Sequence, residues 1–245
     1  MNNQQTIEKL KQMRLGAMAQ MHHQHLESNQ HRECTPDEYL ALLTEHEWEH
    51  RYNRKIKRLV QQANFRQKAT VEEVSYSEAR NLDKNMFQRL ASLDFIDRKE
   101  NIIITGPSGV GKSYLAQALG QQGCFMEKKV IYSPTARLFN RLKLSKVDGT
   151  YLREIKKLNR AELLILDDFG LQAFDNFARD TLMDIIDERY GNASTIVSSQ
   201  LPVSAWYEII GESTIADAIL DRLVNSSHRI ELKGTSLRKG ILKNE

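Results

Sequence analysis

Cysteine is scarce in this chain: it has two, Cys34 and Cys124, and they lie far apart in sequence. Because no CxxC pair occurs, the sequence supports neither a zinc ribbon nor a disulfide framework, and we expect two free thiols. The chain also lacks a cationic-then-apolar leader, and no apolar run approaches about 18 residues. We therefore expect a cytoplasmic protein that is neither secreted nor membrane-spanning.

The excess of positive over negative charge is also small. The formal net charge of +3 does not by itself indicate a nucleic acid partner. Its distribution is more informative, because seven Lys or Arg and no Asp or Glu lie between Arg51 and Lys68. The 245 residues, 40% of them hydrophobic and 27% charged, are typical of a globular chain with one ordinary core and a smaller appendage.

Helical patterns dominate the first 70 residues. Apolar residues recur at helical spacing between residues 5 and 27, which predicts one amphipathic helix there. The segment Thr35-Pro36-Asp37-Glu38 is typical of a helix start, with a capping threonine, a proline at the first helical position and acids in the first turn. The helix that begins there extends to about Phe65. We predict a small all-α N-terminal domain over residues 1–70 that binds DNA or a partner.

The basic run within this second helix has two interpretations. It is either a solvated helix face or a surface that follows the phosphates of nucleic acid. On the second interpretation, five cations contact DNA: Arg51, Arg54, Lys55, Arg58 and Arg66. Six of the seven histidines also precede residue 51. Without partner ligands at zinc-like spacing, they favour a solvated polar face over a metal site.

The segment NIIITGPSGVGKS (101–113) combines a β-branched strand, a glycine-rich loop and a helix start. This is the context of a phosphate-binding P-loop, in which glycines let successive N–H groups point at phosphate oxygens. Lys112 would reach the β- and γ-phosphates, and the Ser113 hydroxyl would ligate Mg²⁺. The sequence therefore predicts nucleoside triphosphate binding. The predicted nucleotide contacts are Gly106, Pro107, Ser108, Gly109, Val110, Gly111, Lys112, Ser113 and Tyr114.

Strands and helices alternate from residue 99 onward, which predicts an α/β domain over residues 99–245 with a parallel sheet covered by helices. Residues 71–98 form a connector with one amphipathic helix. The run ELLILDDFG (162–170) is a buried strand with two carboxylates at its C-terminal end. Asp167 would hold Mg²⁺ through the second coordination shell, facing Ser113, and Asp168 would point at the γ-phosphate and orient or deprotonate the attacking water. A strand-terminating acidic turn is the weaker alternative, because a P-loop precedes it.

A later strand, residues 195–200, ends in polar residues, so Ser199 or Gln200 would lie beside the γ-phosphate. The P-loop segment, LLILDDFG (163–170), SSQLP (198–202), ILDRL (219–223) and KGTSLR (233–238) together resemble the IstB family. Its members are the helper ATPases of one type of insertion sequence, related to the helicase loader DnaC within the AAA+ superfamily. The resemblance covers about residues 80 to 240, and the N-terminal helices are less diagnostic.

The resemblance implies an AAA+ ATPase that uses ATP and Mg²⁺ and assembles head-to-tail as a homo-oligomer on duplex DNA. It also implies that the protein deforms the DNA, recruits an IstA-type transposase and is associated with the nucleoid. Arg222 matches the arginine finger that reaches a neighbouring subunit's γ-phosphate, and Arg238 matches the second sensor arginine. Gln200 matches the sensor on the fourth strand.

Three features depart from the pattern of the superfamily. Asp168 stands where many members have glutamate, and the shorter side chain predicts slow hydrolysis. Gln200 stands where asparagine or threonine is frequent. The sequence ends soon after Arg238, so we expect no full helical lid domain. Adenine is favoured over guanine by the resemblance, since no N-K-x-D motif occurs.

Two other functions compete with a transposition helper. A DnaC-like helicase loader would bind a helicase through its N-terminal domain and prefer single-stranded DNA, with Phe65 or Tyr52 stacking on bases. A P-loop kinase is disfavoured, because nothing resembles an acceptor-binding lid and the helical N-terminal region would be unexplained.

Overall fold

The computed structural model describes residues 3–237 of the chain. They divide into two compact units, and the boundary between Arg58 and Leu59 falls inside a long helix. The domain limits predicted above, at residues 70 and 98, remain predictions. Within the described residues, no helix is both long and apolar enough to cross a membrane.

The N-terminal unit is built from helices α1 (Asn3–Gln12) and α2 (Gly16–Glu27) and most of α3 (Pro36–Ala63). The prediction of one helix over residues 5–27 is wrong. α1 ends at Gln12, and the chain leaves the helical path at Arg14, whose φ is 61°. The Leu15 N–H then donates to the Leu10 carbonyl. The apolar spacing continues across this break, so periodicity alone does not reveal it.

The predicted start of α3 is confirmed. The Thr35 N–H and hydroxyl both donate to the Glu38 carboxylate at 2.8 Å, which forms a capping box around Pro36. Farther along α3, the buried carboxylate of Glu47 accepts the Met18 N–H in the first turn of α2 at 3.0 Å. Although burial opposes the shift, this bond and those from Arg51 hold the pKa of Glu47 below its usual value.

The histidine-rich part of the N-terminal unit packs beside an aromatic ring. His22 Nδ1 is hydrogen-bonded to the Tyr39 hydroxyl at 2.9 Å. Burial, followed by the nearby His31, His25 and His23, lowers the pKa of His22. Among residues 3–237, no group of three or more His, Cys, Asp or Glu side chains is arranged to hold a metal ion.

The second unit begins with the end of α3 and two short helices, α4 (Lys84–Ala91) and α5 (Asp94–Asp97). Five described strands follow: β1 (Asn101–Thr105), β2 (Val130–Pro134), β3 (Leu163–Phe169), β4 (Ser194–Ser199) and β5 (Ser227–Glu231). The helices between them are α6 (Lys112–Phe125), α7 (Thr135–Val147), α8 (Tyr151–Asn159), α9 (Asn176–Arg189), α10 (Trp206–Ile210) and α11 (Ser213–Val224).

The strands form one parallel sheet in the order β2-β3-β4-β1-β5. Successive residues of β1 face opposite sides, because side chains alternate along a strand. Ile102 and Ile104 pack with α6, whereas Ile103 packs with the layer of α7, α9 and α11. Both faces of the sheet are therefore covered by helices, which confirms the predicted α/β fold class.

Both cysteines are free, as predicted. Cys124 lies in the last turn of α6 and is buried in the core, and burial raises the pKa of its thiol to about 12. Cys34 is half-buried in the N-terminal unit.

Candidate nucleotide-binding site

A glycine-rich loop, residues 106–111, joins β1 to the first turn of α6 at the C-terminal edge of the sheet. Gly106 and Gly111 have φ values of 145° and 96°, a region that side chains with a Cβ rarely adopt. A Cβ on Gly106 would lie 2.3 Å from the Leu232 carbonyl oxygen, and one on Gly111 would lie 2.6 Å from Arg80 Nη2. Conformation therefore favours glycine at both positions, and at Gly106 the neighbouring backbone also leaves no space for a Cβ.

The strand, loop and helix place Lys112 and Ser113 at the start of α6, as the sequence predicts. Lys112 is buried, and its ammonium donates to the Pro107 carbonyl at 2.7 Å, so its charge lies inside the loop. The Ser113 hydroxyl donates to Asp167 Oδ1 at 2.9 Å. The structure thus brings the two predicted Mg²⁺ ligands together from positions 54 residues apart. The Ser113 hydroxyl is a hard oxygen donor of the kind that Mg²⁺ prefers, and the Asp167 carboxylate lies next to it.

Asp167 is fully buried near the end of β3, in a network that sequence reasoning missed. Its Oδ2 accepts the Tyr132 hydroxyl at 2.7 Å, and its Oδ1 also accepts the Ser198 hydroxyl. Tyr132 comes from β2 and Ser198 from β4, the two strands that flank β3. Burial raises the pKa of Tyr132, and its hydrogen bond to Asp167 raises it further. The signal available in the sequence was weak: a polar residue near the end of each neighbouring strand.

Asp168 follows with a left-handed backbone, φ 54°, where the pairing of β3 with β4 shifts register. Aspartate and asparagine tolerate this conformation better than most residues, which gives a physical reason for aspartate at this position. Its half-buried carboxylate lies 3.9 Å from the Arg66 guanidinium. The Arg66 N–H in turn donates to Gln117 Oε1 at 2.7 Å. Arg66, predicted to contact DNA, therefore lies beside the predicted catalytic carboxylate.

Two segments outside the P-loop motif contact the loop, one before β1 and one after β5. Arg80 Nη2 donates to the Val110 carbonyl at 2.9 Å, Nη1 donates to the Ser75 carbonyl, and burial lowers the pKa of Arg80. After β5 the chain returns to the loop, where Leu237 N–H donates to the Gly109 carbonyl at 3.0 Å. Sequence reasoning missed Arg80, because a single arginine before the first strand has no local signature.

Tyr114, a predicted nucleotide contact, is directed at the connector. Its hydroxyl donates to the Glu73 carboxylate at 3.0 Å and accepts the Thr70 N–H at 3.3 Å. On β4, the Ser199 hydroxyl donates to the Phe169 carbonyl at 2.7 Å and so joins two strands. Gln200 follows directly, half-buried at the same edge of the sheet as Asp167.

Arg222 is not near the loop of its own chain. Its carbonyl accepts Asn101 Nδ2 at 3.2 Å, at the start of β1, and the loop begins at the other end of that strand. Five residues of strand separate the two by about 13 Å or more. The Arg222 guanidinium lies 2.9 Å from Asp187 and donates to the Ala218 carbonyl at 3.0 Å. Arg238 lies outside the described residues.

Four predicted DNA contacts lie on α3 in the N-terminal unit. Arg54, Lys55 and Arg58 are exposed. Arg51 is engaged within the unit, since its Nε donates to Glu47 Oε1 at 2.7 Å and its Nη2 donates to the Arg14 carbonyl at 2.7 Å.

Comparison with known proteins agrees with this geometry. The chain is 46% identical over 234 residues to an insertion sequence ATP-binding protein of Sinorhizobium fredii, covering 96% of each. It is 32% identical over 213 residues to the ATP-binding protein of insertion sequence IS21 from Pseudomonas aeruginosa, covering 87% of this chain and 80% of the relative.

Solved structures share the fold at low identity. The DnaC helicase loader matches with a TM-score of 0.56 and 21% identity over 67% of this chain and 97% of its own. AMPPCP-bound DnaA from Aquifex aeolicus matches with a TM-score of 0.57 and 19% identity over 74% of this chain and 55% of its own. The profile of the family described as IstB-like ATP binding protein matches residues 8–244. The chain therefore belongs to the IstB-like ATP binding protein family, with an AAA+ P-loop fold.

Proposed function

We propose that the protein is an ATP-hydrolysing helper of insertion sequence transposition, which assembles on duplex DNA, remodels it and recruits the transposase. The observation that carries the ATPase part is the 2.9 Å contact of the Ser113 hydroxyl with the buried Asp167 carboxylate, directly after the glycine loop and Lys112. The relatives described as insertion sequence ATP-binding proteins support the transposition part.

The residues of the loop divide the work of binding ATP. The N–H groups of the glycine loop and of the first turn of α6 bind phosphate oxygens, and Lys112 adds a full positive charge. Ser113 and Asp167 would hold Mg²⁺, which when bound would neutralise phosphate charge. Asp167 would act through the second coordination shell, and hydrogen bonds from Tyr132 and Ser198 fix its carboxylate.

Asp168 orients the attacking water and accepts its proton at the end of β3. Arg222 supplies positive charge to the transition state on a neighbouring subunit. Its position at the opposite end of β1 from the loop supports action in trans, because it does not reach the nucleotide of its own chain. Hydrolysis then requires head-to-tail assembly.

Exposed Arg54, Lys55 and Arg58 on α3 are the proposed DNA contacts of the N-terminal unit. Cations bind duplex phosphates with little base specificity and strong salt dependence. This interaction would let ATP-bound subunits gather along DNA irrespective of its sequence.

Sedimentation with ATP or a non-hydrolysable analogue tests this function, in the absence of DNA, with duplex DNA and with single-stranded DNA. We expect large complexes only with nucleotide and duplex together. The Lys112→Ala variant, checked for folding by circular dichroism, should lose nucleotide binding and assembly. Complexes that form only on single strands would instead favour a DnaC-like helicase loader, and intact assembly of Lys112→Ala would reject the nucleotide requirement.

A further inference from the structure

A groove of about 390 Å³ lies in the second unit beside the edge strand β2. Its floor is aliphatic, with Val130, Ile131 and Ala161 among its residues. Five cations line it and define the cationic groove: Lys129, Arg153, Lys156, Lys157 and Arg160. The start of β2 contributes to the groove, so it lies at the opposite end of the sheet from the nucleotide site.

Four of these cations form one stripe along α8 and the residue that follows it. Arg153, Lys156, Lys157 and Arg160 are spaced i, i+3, i+4 and i+7, which places them on a single helix face. The stripe is about 10 Å long at the rise of an α-helix. All four side chains are exposed, as is that of Lys129.

Nearby carboxylates do not neutralise the stripe. Glu154 lies 3.7 Å from Arg141, and Glu162 accepts the Lys129 N–H at 2.9 Å and lies 3.7 Å from Lys128. Asp148 is close enough to Arg153 for its pKa to be lowered, after the larger effect of hydrogen bonds from Thr150. Within residues 3–237, no ion pair with a carboxylate is formed by the side chains of Lys129, Lys156, Lys157 and Arg160.

The helix that carries the stripe is fixed on its core-facing side. Leu158 is buried in the core, and Arg189 beneath it is almost fully buried. Arg189 Nη1 donates to the Leu158 carbonyl at 2.9 Å and to the Ala161 carbonyl at 2.8 Å, so the last turn of α8 is fixed by a buried guanidinium. Burial lowers the pKa of Arg189 to about 10, and the group remains charged at neutral pH. The cations of the stripe therefore project from a helix whose last turn is fixed by these hydrogen bonds.

We propose that the cationic groove binds the phosphate backbone of duplex DNA, in addition to the cations of α3. Over about 10 Å of its axis, duplex DNA carries roughly six phosphate charges, which suits a stripe of four cations and a fifth beside it. An acidic protein partner fits less well, because none of the lining residues is aromatic and such partners usually anchor through aromatic contacts. This proposal rests on the proposed function, since it assigns a second contact to the same DNA.

The test measures the affinity for a labelled duplex by fluorescence anisotropy between about 50 and 200 mM salt. The variant carries Lys156→Gln, Lys157→Gln and Arg160→Gln. The slope of log K against log salt is negative, and each lost phosphate contact reduces its magnitude by about 0.9. We therefore expect the magnitude to decrease by about 2 to 3. ATP binding serves as the measure of folding and should be unchanged.

A matched control carries Arg89→Gln, Arg98→Gln and Arg229→Gln, three exposed cations outside the groove with the same total charge. Arg229 lies on β5, the opposite edge strand. We expect the control to keep the wild-type slope. A groove variant with the wild-type slope, or an equal decrease in both variants, overturns the DNA site while the proposed function stands. Wild-type protein that binds ATP but no duplex overturns both.

Discussion

Replacing Tyr132 by phenylalanine removes one hydroxyl from the buried network around Asp167. The ring can stay in place, so the change isolates the 2.7 Å hydrogen bond to Oδ2. Because Asp167 is fully buried, water cannot replace the lost donor. A hydrogen bond to a charged group contributes about 1.5–3 kcal/mol, and we expect this loss in the free energy of unfolding. For a unit of this size the melting temperature should fall on the order of 5 °C.

A double-mutant cycle with Asp167→Asn assigns that loss to the carboxylate. Against a neutral amide, the same hydroxyl should contribute only about 0.5–1.5 kcal/mol, so the two substitutions should be coupled by about 1 kcal/mol or more. Denaturant unfolding of the four proteins gives this coupling. If Tyr132→Phe costs less than about 0.5 kcal/mol in both backgrounds, the network does not hold Asp167 as argued.

Three further predictions concern the candidate site and the N-terminal unit. Asp168→Asn should retain ATP binding but lose turnover and so accumulate ATP-bound assemblies; normal phosphate release would remove Asp168 from catalysis. Arg222→Ala should lose hydrolysis, and mixing it with Asp168→Asn, which still assembles and carries an intact Arg222, should restore part of the activity if the finger acts in trans, whereas no rescue would indicate a structural arginine. The pKa of His22 is lowered in the folded protein. Below pH 6.5, the ordinary pKa of histidine, the unfolded chain therefore binds more protons than the folded chain. The free energy of unfolding should decrease as the pH falls through this range. Thermal unfolding from pH 8 to 5 should show a smaller decline in His22→Gln, whereas the exposed His50→Gln should match wild type.

The sequence was sufficient for those parts of the site that belong to continuous motifs. The loop from Gly106, the start of α6 at Lys112 and the carboxylates after a buried strand each carry a local pattern, and the parallel sheet then brings Ser113 to Asp167. Fold class followed from the alternation of strands and helices for the same reason.

The remaining contacts depend on tertiary packing. Tyr132 and Ser198 reach Asp167 only because β2 and β4 flank β3, and the strand order is not written in any local pattern. Arg80 braces the loop across 30 residues of chain. The position of Arg66 beside Asp168 was likewise unexpected, since its charge alone associates it with the basic run.

The contrast between the two cysteines offers a practical route to observing the N-terminal unit. With a pKa of about 12, the Cys124 thiol is almost never a thiolate at neutral pH, and its burial also blocks access by reagents. A maleimide fluorophore should therefore attach to half-exposed Cys34 in the natural sequence, just ahead of the helix that carries the α3 cations. Stoichiometric labelling without any engineered cysteine would provide a single-site probe of DNA engagement on the fully native protein.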